Sequence, residues 1–273
     1  MPAPVHSPPP WRLLVSSCDN YNDTWPWFFH FLFKYWPDVP TPVYLVSNHT
    51  RYDDPRVRTL TTGPDHAWSD TLRKALAQVP EEWLVFILDD FLLKDPVDSR
   101  RVQEAWSQFH RLDGVYLSAD NFHKPGQRIP ESWFCQVTPE TLYVGLNATF
   151  WKKSHLASVV HEPGLNIWKA ENRLKALARA APRGHFFIEP GTPSLVNYVE
   201  SIKGYFWKPM AIEFLAQHQL KPDLRRRPCP AQGRDPLSRS LRSLLKYRMR
   251  LGNWLNAKLA GRLRPSVIKP LPS

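Results

Sequence analysis

Glycine-rich signatures are missing from this 273-residue chain. No G-x-G-x-x-G, no Walker lysine loop and no G-x-S-x-G elbow occurs, which weakens dinucleotide, P-loop and serine-hydrolase readings. Its ten histidines are scattered, without H-x-x-x-H or H-E-x-x-H spacing, so zinc catalysis is set aside. Cysteine is scarce: Cys18, Cys135 and Cys229 are odd in number and far apart. That fits reduced thiols of a cytosolic protein better than a disulfide framework. No apolar run approaches the roughly 20 residues that a spanning helix needs. The opening "MPAPVHSPPPW" lacks the basic and apolar regions of a signal peptide and reads as a Pro-rich lead-in. The N-x-[ST] matches at Asn22, Asn48 and Asn147 therefore carry no weight. The expected location is the cytoplasm, soluble or peripheral on the inner face of the membrane.

What is present is a globular composition, with 42% hydrophobic residues, 12 Trp and 14 Phe. The net charge of +11 is unevenly placed. Residues 221–273 hold 14 Lys/Arg against two Asp/Glu, whereas the preceding 220 residues carry a net charge of −1. A nucleic-acid reading of the body has no basic surface to rest on. The chain divides into a lead-in (1–10), a body (11–220) and a basic tail (221–273).

Along the body, short apolar strands alternate with amphipathic helices. "RLLVSS", "TPVYLVSN", "WLVFILDD", "GVYLSA" and "HFFIEP" read as strands. "TWPWFFHFLFKYW", "SDTLRKALAQV", "SRRVQEAWSQFHRL" and "NIWKAENRLKALARAA" read as helices, the second starting at Ser69 or Asp70. This alternation predicts a mostly parallel α/β sheet flanked by helices, whose ligands bind beyond the carboxyl ends of the strands. Asp19, Asp23, Asn48, Asp89, Asp90 and Asp120 all fall at or just after such ends.

"WLVFILDDFLLKD" is the stretch that most needs an explanation, because two adjacent carboxylates interrupt a buried apolar run. An unpaired buried charge costs several kcal/mol or more. In a continuous strand Asp89 and Asp90 point apart, so a single one of them touches a metal and its neighbour accepts hydrogen bonds. Carboxylate oxygens suit Mg²⁺ or Mn²⁺. The competing reading is that both merely cap the following loop. Ser17, Asp19 and Asp23 in "SSCDNYND" suit a base or ribose, or an ordinary Asx-rich turn. Glu171, on a helix beside Trp168, is a candidate general base or a solvated helix glutamate.

Four segments in order carry a family likeness across residues 12–209. They are "SSCDNYNDTWPWFFHFLFKYWPDVPTPVYLVSN", "WSDTLRKALAQVPEEWLVFILDDFLL", "LNATFWKKSHLASVV…NIWKAEN" and "IKGYFWKP". The sequence resembles bacterial glycosyltransferases of the GT-A, Rossmann-like nucleotide-sugar-binding fold, associated with capsule and lipopolysaccharide assembly. The resemblance implies a nucleotide-sugar donor and a glycan or lipid-linked acceptor. It places Ser17, Asp19 and Asp23 at the nucleotide, Asp89 and Asp90 at the diphosphate and its divalent metal, and Glu171 as the base. It departs from the common pattern in reading D-D-F for D-x-D and in having Ala170 before Glu171. A non-catalytic protein of this fold that binds glycans or partner enzymes is the alternative.

The tail predicts an amphipathic helix over 237–264. Leu237, Leu241, Leu244, Leu245, Leu251, Leu255, Leu259 and Leu263 share one face, opposite Arg239, Arg242, Lys246, Arg250 and Arg264. Three readings stand: attachment to an anionic membrane surface, packing on the body, and nucleic-acid binding.

Overall fold

A computed structural model describes residues 10–64, 67–120, 126–141, 144–229 and 266–271. The predicted amphipathic helix at 237–264 lies outside the described residues. The chain opens with β1 (Trp11–Ser16), a single 3-10 turn (Asp19–Tyr21) and α1 (Trp25–Tyr35), followed by β2 (Val43–Ser47), β3 (Arg51–Tyr52) and β4 (Val57–Thr61). Next come α2 (Trp68–Leu76), β5 (Trp83–Leu88), β6 (Phe91–Leu93), α3 (Ser99–Arg111) and β7 (Tyr116–Ser118). After β8 (Gln127–Arg128) and β9 (Phe134–Gln136), β10 (Thr149–Lys152) runs directly into α4 (Lys153–Val159) and then α5 (Ile167–Ala180). The remainder is β11 (His185–Ile188), β12 (Tyr198–Glu200), the hairpin of β13 (Ile202–Lys203) and β14 (Phe206–Trp207), α6 (Pro209–Gln217) and β15 (Val267–Ile268).

Among the described residues nine strands form one sheet in the order β4-β2-β1-β5-β10-β7-β11-β9-β8. The β4, β2, β1 and β5 strands are mutually parallel, as are β7 and β11, while β10 is inserted antiparallel between β5 and β7. Alternation of side chains sends each strand's residues to two apolar layers. Leu13, Val15, Val43, Leu45, Val85 and Ile87 join one layer with residues of α1, α3 and α6. Leu14, Tyr44, Val46, Leu84 and Phe86 face the other, with residues of α2, α4 and α5. Strands buried on both faces read as continuous apolar runs, which is why they were visible in the sequence.

Several boundaries differ from the sequence reading. The stretch Trp83–Asp95 is not one strand. It breaks at a turn on Asp89 and Asp90, and β6 then pairs with β12 in a separate two-stranded sheet. Asp89 and Asp90 are thus turn residues, and strand alternation does not govern where they point. α2 begins at Trp68, so Ser69 is not its N-cap. The backbone N–H of Ser69 donates to the Leu165 carbonyl, and its hydroxyl donates to the Glu162 carbonyl while accepting from Leu165 N–H. The helix start is therefore tied to the loop before α5 and is not left open for an anion. Residues 266–271, assigned to the tail by composition, return to the body, where β15 pairs with β3 and Thr50 Oγ1 lies 2.8 Å from Ser266 Oγ.

At the head of β11, His185 Nε2 lies 2.9 Å from His155 Nε2 of α4, with Trp151 and Tyr116 around the pair. Burial, and then the neighbouring His185, lowers His155 from the usual imidazole value to about 4; burial likewise lowers His185. Between pH 6.5 and about 4 the unfolded chain takes up a proton on His155 that the folded chain refuses. The contribution of His155 is full above about pH 6.5 and is lost on acidification, by up to about 3 kcal/mol. Carboxylates raised by burial act in the opposite sense over the same range, so the effect is read by comparing wild type with His155→Gln in thermal melts at pH 7.5 and pH 5.0. The wild type should lose Tm relative to the variant at the lower pH, and an equal change in both proteins would contradict the assignment.

Candidate functional site

The parallel strands β1, β2 and β5 end together at Ser16, Ser47 and Leu88, and the polar residues beyond them share one edge of the sheet. Asp89 is buried in the turn after β5. Ser17 Oγ donates to Asp89 Oδ2 at 2.5 Å and itself accepts from Trp25 Nε1 at 2.7 Å. Thr24 Oγ1 lies 3.0 Å from the same carboxylate oxygen and 2.7 Å from the Tyr21 carbonyl, so one hydroxyl proton serves two acceptors. Asp89 is thereby held by groups on both sides of the 19–23 turn. Burial raises its carboxyl to about 7, against the pull of the two hydroxyls and of Arg227.

Asp90 keeps part of its surface open to solvent. Its backbone carbonyl accepts from the Ser201 N–H (2.7 Å) and hydroxyl (2.8 Å), which fastens the turn to the strand pair β6–β12. Burial, then the charges of Asp89 and Glu200, raises its carboxyl well above the ordinary range. Glu200 is itself paired with Lys208. Among the described residues no ion pair reaches either aspartate. The cation acting on both is Arg227, whose own contacts go to Asp23.

The other sequence candidates take different tasks. Asp19 accepts from Ser47 Oγ and from the backbone N–H groups of Asn48, His49 and Thr50. Four donors match the acceptor capacity of a carboxylate, and Asp19 thereby anchors the turn after β2 to the turn after β1. Asn48 completes that anchor, accepting from Asp19 N–H and donating to the Gly63 carbonyl. Asp23 makes a two-pronged pair with Arg227, Nε to Oδ2 and Nη2 to Oδ1, each at 2.9 Å. Asp120, after β7, is buried and accepts from Ser118, Asn147 and Tyr198.

Glu171, on the first turns of α5, accepts from the Leu146 backbone N–H at 3.0 Å. Leu146 leads into the antiparallel β10, whose first residue, Thr149, lies opposite Phe86 and Ser118. Glu171 is thus tied to the loop at the same edge as Asp89 and Asp90. Trp168, one helical turn before it, is 67% exposed. Among the described residues, no three His, Cys, Asp or Glu side chains converge as a metal-ligand set. A divalent cation that takes most of its ligands from substrate phosphates and water needs only one or two carboxylates. Asp90 fits that part, whereas Asp89 commits its Oδ2 to two hydroxyls.

Sequence reasoning missed Tyr21, Thr24, Trp25, Ser201 and Arg227. The first three lie in segments it singled out, where their roles depend on a turn conformation that spacing does not reveal. Arg227 sits in an Arg-Arg-Arg run inside the basic tail and pairs with a residue more than 200 positions away. Nothing local in the sequence marks that pairing.

No protein-family model and no curated protein matches the chain. Solved structures with a similar course of the backbone include S. aureus TarS 1–349 in complex with UDP, at 12% identity and a TM-score of 0.47, covering 78% of this chain and 67% of that one. UDP-glucose pyrophosphorylase complexed with UDP-glucose follows at 6% identity and a TM-score of 0.44, covering 69% and 91%. The bifunctional IspDF from Campylobacter jejuni gives 10% and 0.39, covering 70% and 52%. The chain spans 60% of a second TarS 1–349 structure and 52% of IspDF.

Proposed function

We propose that the protein is a glycosyltransferase of GT-A type. It takes a nucleotide-sugar donor at the Asp89–Asp90 edge and passes the sugar to a glycan or lipid-linked acceptor in surface polysaccharide assembly. The observation that carries the reading is the pair of carboxylates in a tight turn at the end of the central strand β5, with a second, separate carboxylate at Glu171 on the same edge. Adjacent aspartates raised by burial, Asp90 also by the charges of Asp89 and Glu200, are out of place in a purely structural turn. They are suited to a ligand that brings positive charge or hydrogen-bond donors.

In this reading Asp89, fixed by Ser17 and Thr24, sets the position of the turn, and Asp90 faces the donor. Asp90 would hold a Mn²⁺ or Mg²⁺ ion, which when bound offsets the charge of the donor diphosphate. Glu171 accepts the proton of the acceptor hydroxyl. The freed oxygen forms a bond to the anomeric carbon, and the bond from that carbon to the diphosphate oxygen breaks, its electron pair leaving with the nucleoside diphosphate. Trp168 offers an exposed indole face for an acceptor sugar. The bond from Leu146 to Glu171 favours one rival, a binding-only protein, because it gives that carboxylate a structural task.

Release of UDP, GDP or dTDP from the corresponding diphosphate sugars, and of CMP from a CMP-sugar, with and without Mn²⁺, tests the reading. Saturable release from one donor supports it; donor binding with no release under any condition would favour the binding protein. For the tail, we propose peripheral attachment to an anionic membrane. Removing 236–264 should then abolish co-sedimentation with phosphatidylglycerol vesicles, and undiminished sedimentation would sink that part.

A further inference from the structure

Ser17 and Thr24 bracket a turn that has little of its own to keep it ordered. Residues Asp19–Tyr21 form a single 3-10 turn with no buried residue. Its order therefore rests on polar clamps. One is the set of hydrogen bonds from Ser47, Asn48, His49 and Thr50 to Asp19, described above. The other arrives from the far end of the body.

Arg227 is only 2% exposed. Its guanidinium spans Asp23 with Nε and Nη2, donates from Nη2 to the Asn20 carbonyl at 3.0 Å, and lies 4.6 Å over the Tyr21 ring. Nη1 is buried without a hydrogen-bond partner, so the group is held in place by these contacts at the expense of one donor. The neighbouring Arg226 reaches Asn22. Tyr21 in turn donates its hydroxyl to the Gly204 carbonyl at 2.6 Å, and Trp207 N–H donates to the Pro228 carbonyl at 3.0 Å. Turn, hairpin β13–β14 and residues 226–228 thus lock together around one guanidinium. A planar fork makes this arrangement and an ammonium does not.

We propose that Arg227 is a positioning residue of the donor site: it clamps the 19–23 turn so that Ser17 and Thr24 present their hydroxyls to Asp89 together. The basic run at 225–227 then belongs to the site, although its composition groups it with the tail. The inference rests on the glycosyltransferase reading for its ligand, and on the fold alone for the clamp.

The test combines two measurements on the full-length protein. Hydrogen exchange of the 18–25 amides in Arg227→Lys and Arg227→Met should quicken at least tenfold, with exchange in β1, β5 and α1 beyond Trp25 unchanged. Calorimetric affinity for whichever of UDP-glucose, GDP-mannose, CMP-sialic acid or dTDP-rhamnose binds the wild type should weaken about tenfold in both variants. Arg227→Lys keeps the charge, so failure to rescue identifies the fork as the essential feature. Asp23→Asn, which leaves the arginine in place, should give the same exchange pattern, and adding it to Arg227→Met should bring no further loss. Unchanged 18–25 exchange in these variants overturns the clamp. Quickened exchange with unchanged affinity overturns the positioning role. A wild type that binds none of the four sugars sinks the glycosyltransferase reading, and with it the role in ligand binding, while the exchange data still decide the clamp.

Discussion

Asp90→Asn should lower nucleotide-sugar turnover by roughly a hundredfold or more, since it removes the carboxylate proposed to face the donor diphosphate. The substitution keeps the shape of the side chain. It also keeps the two bonds from Ser201 to the Asp90 backbone carbonyl, which hold the turn. Asp90 is disfavoured as a charge by burial, by Asp89 and by Glu200. Neutralising it should therefore leave the melting temperature unchanged or raise it. Loss of turnover with a stable fold marks Asp90 as a functional group. Turnover within about twofold of wild type would place the diphosphate elsewhere. Asp89→Ala is the instructive contrast, because it removes the single oxygen that accepts from two hydroxyls and should disturb the 17–25 turn as well.

Glu171→Gln should leave donor binding within about twofold and reduce sugar transfer by roughly a hundred- to ten-thousandfold, the range for loss of a general base. The amide oxygen of glutamine still accepts from Leu146 N–H, so the loop before β10 stays in place. What disappears is the capacity to take a proton. Single-turnover transfer at saturating donor separates the two effects. An unchanged transfer rate would leave Glu171 with its hydrogen bond to Leu146 as its whole role.

The fold was legible where burial on both faces wrote itself into the sequence. The β1, β2, β5, β7 and β11 strands are short apolar runs, and α1, α3 and α5 carry helical spacing between recognisable stops. The stretch "TLYVGLNATFWKKSHLASVV" reads as a strand or turn running into a helix, as β10 and α4 are, but the antiparallel direction of β10 was not legible. The break at Asp89–Asp90 was hidden as well. It contains neither Gly nor Pro, and β6 continues with apolar residues that belong to a different sheet. Of the site, the carboxylates stood out by being polar in apolar surroundings. Their hydroxyl and guanidinium partners did not, because Thr24 and Arg227 are ordinary residues until the turn and the returning segment 226–228 bring them together.

The central claim is that the edge at Asp89 and Asp90 binds a nucleotide-sugar. Calorimetric titration of UDP-, GDP-, CMP- and dTDP-sugars into the wild-type protein and Asp90→Asn, with Mn²⁺ present, tests it most directly. Saturable binding of one nucleotide class to the wild type is expected, weakened at least tenfold in Asp90→Asn, a difference of about 1.4 kcal/mol or more. No heat of binding across the panel, or equal affinity in both proteins, would contradict it.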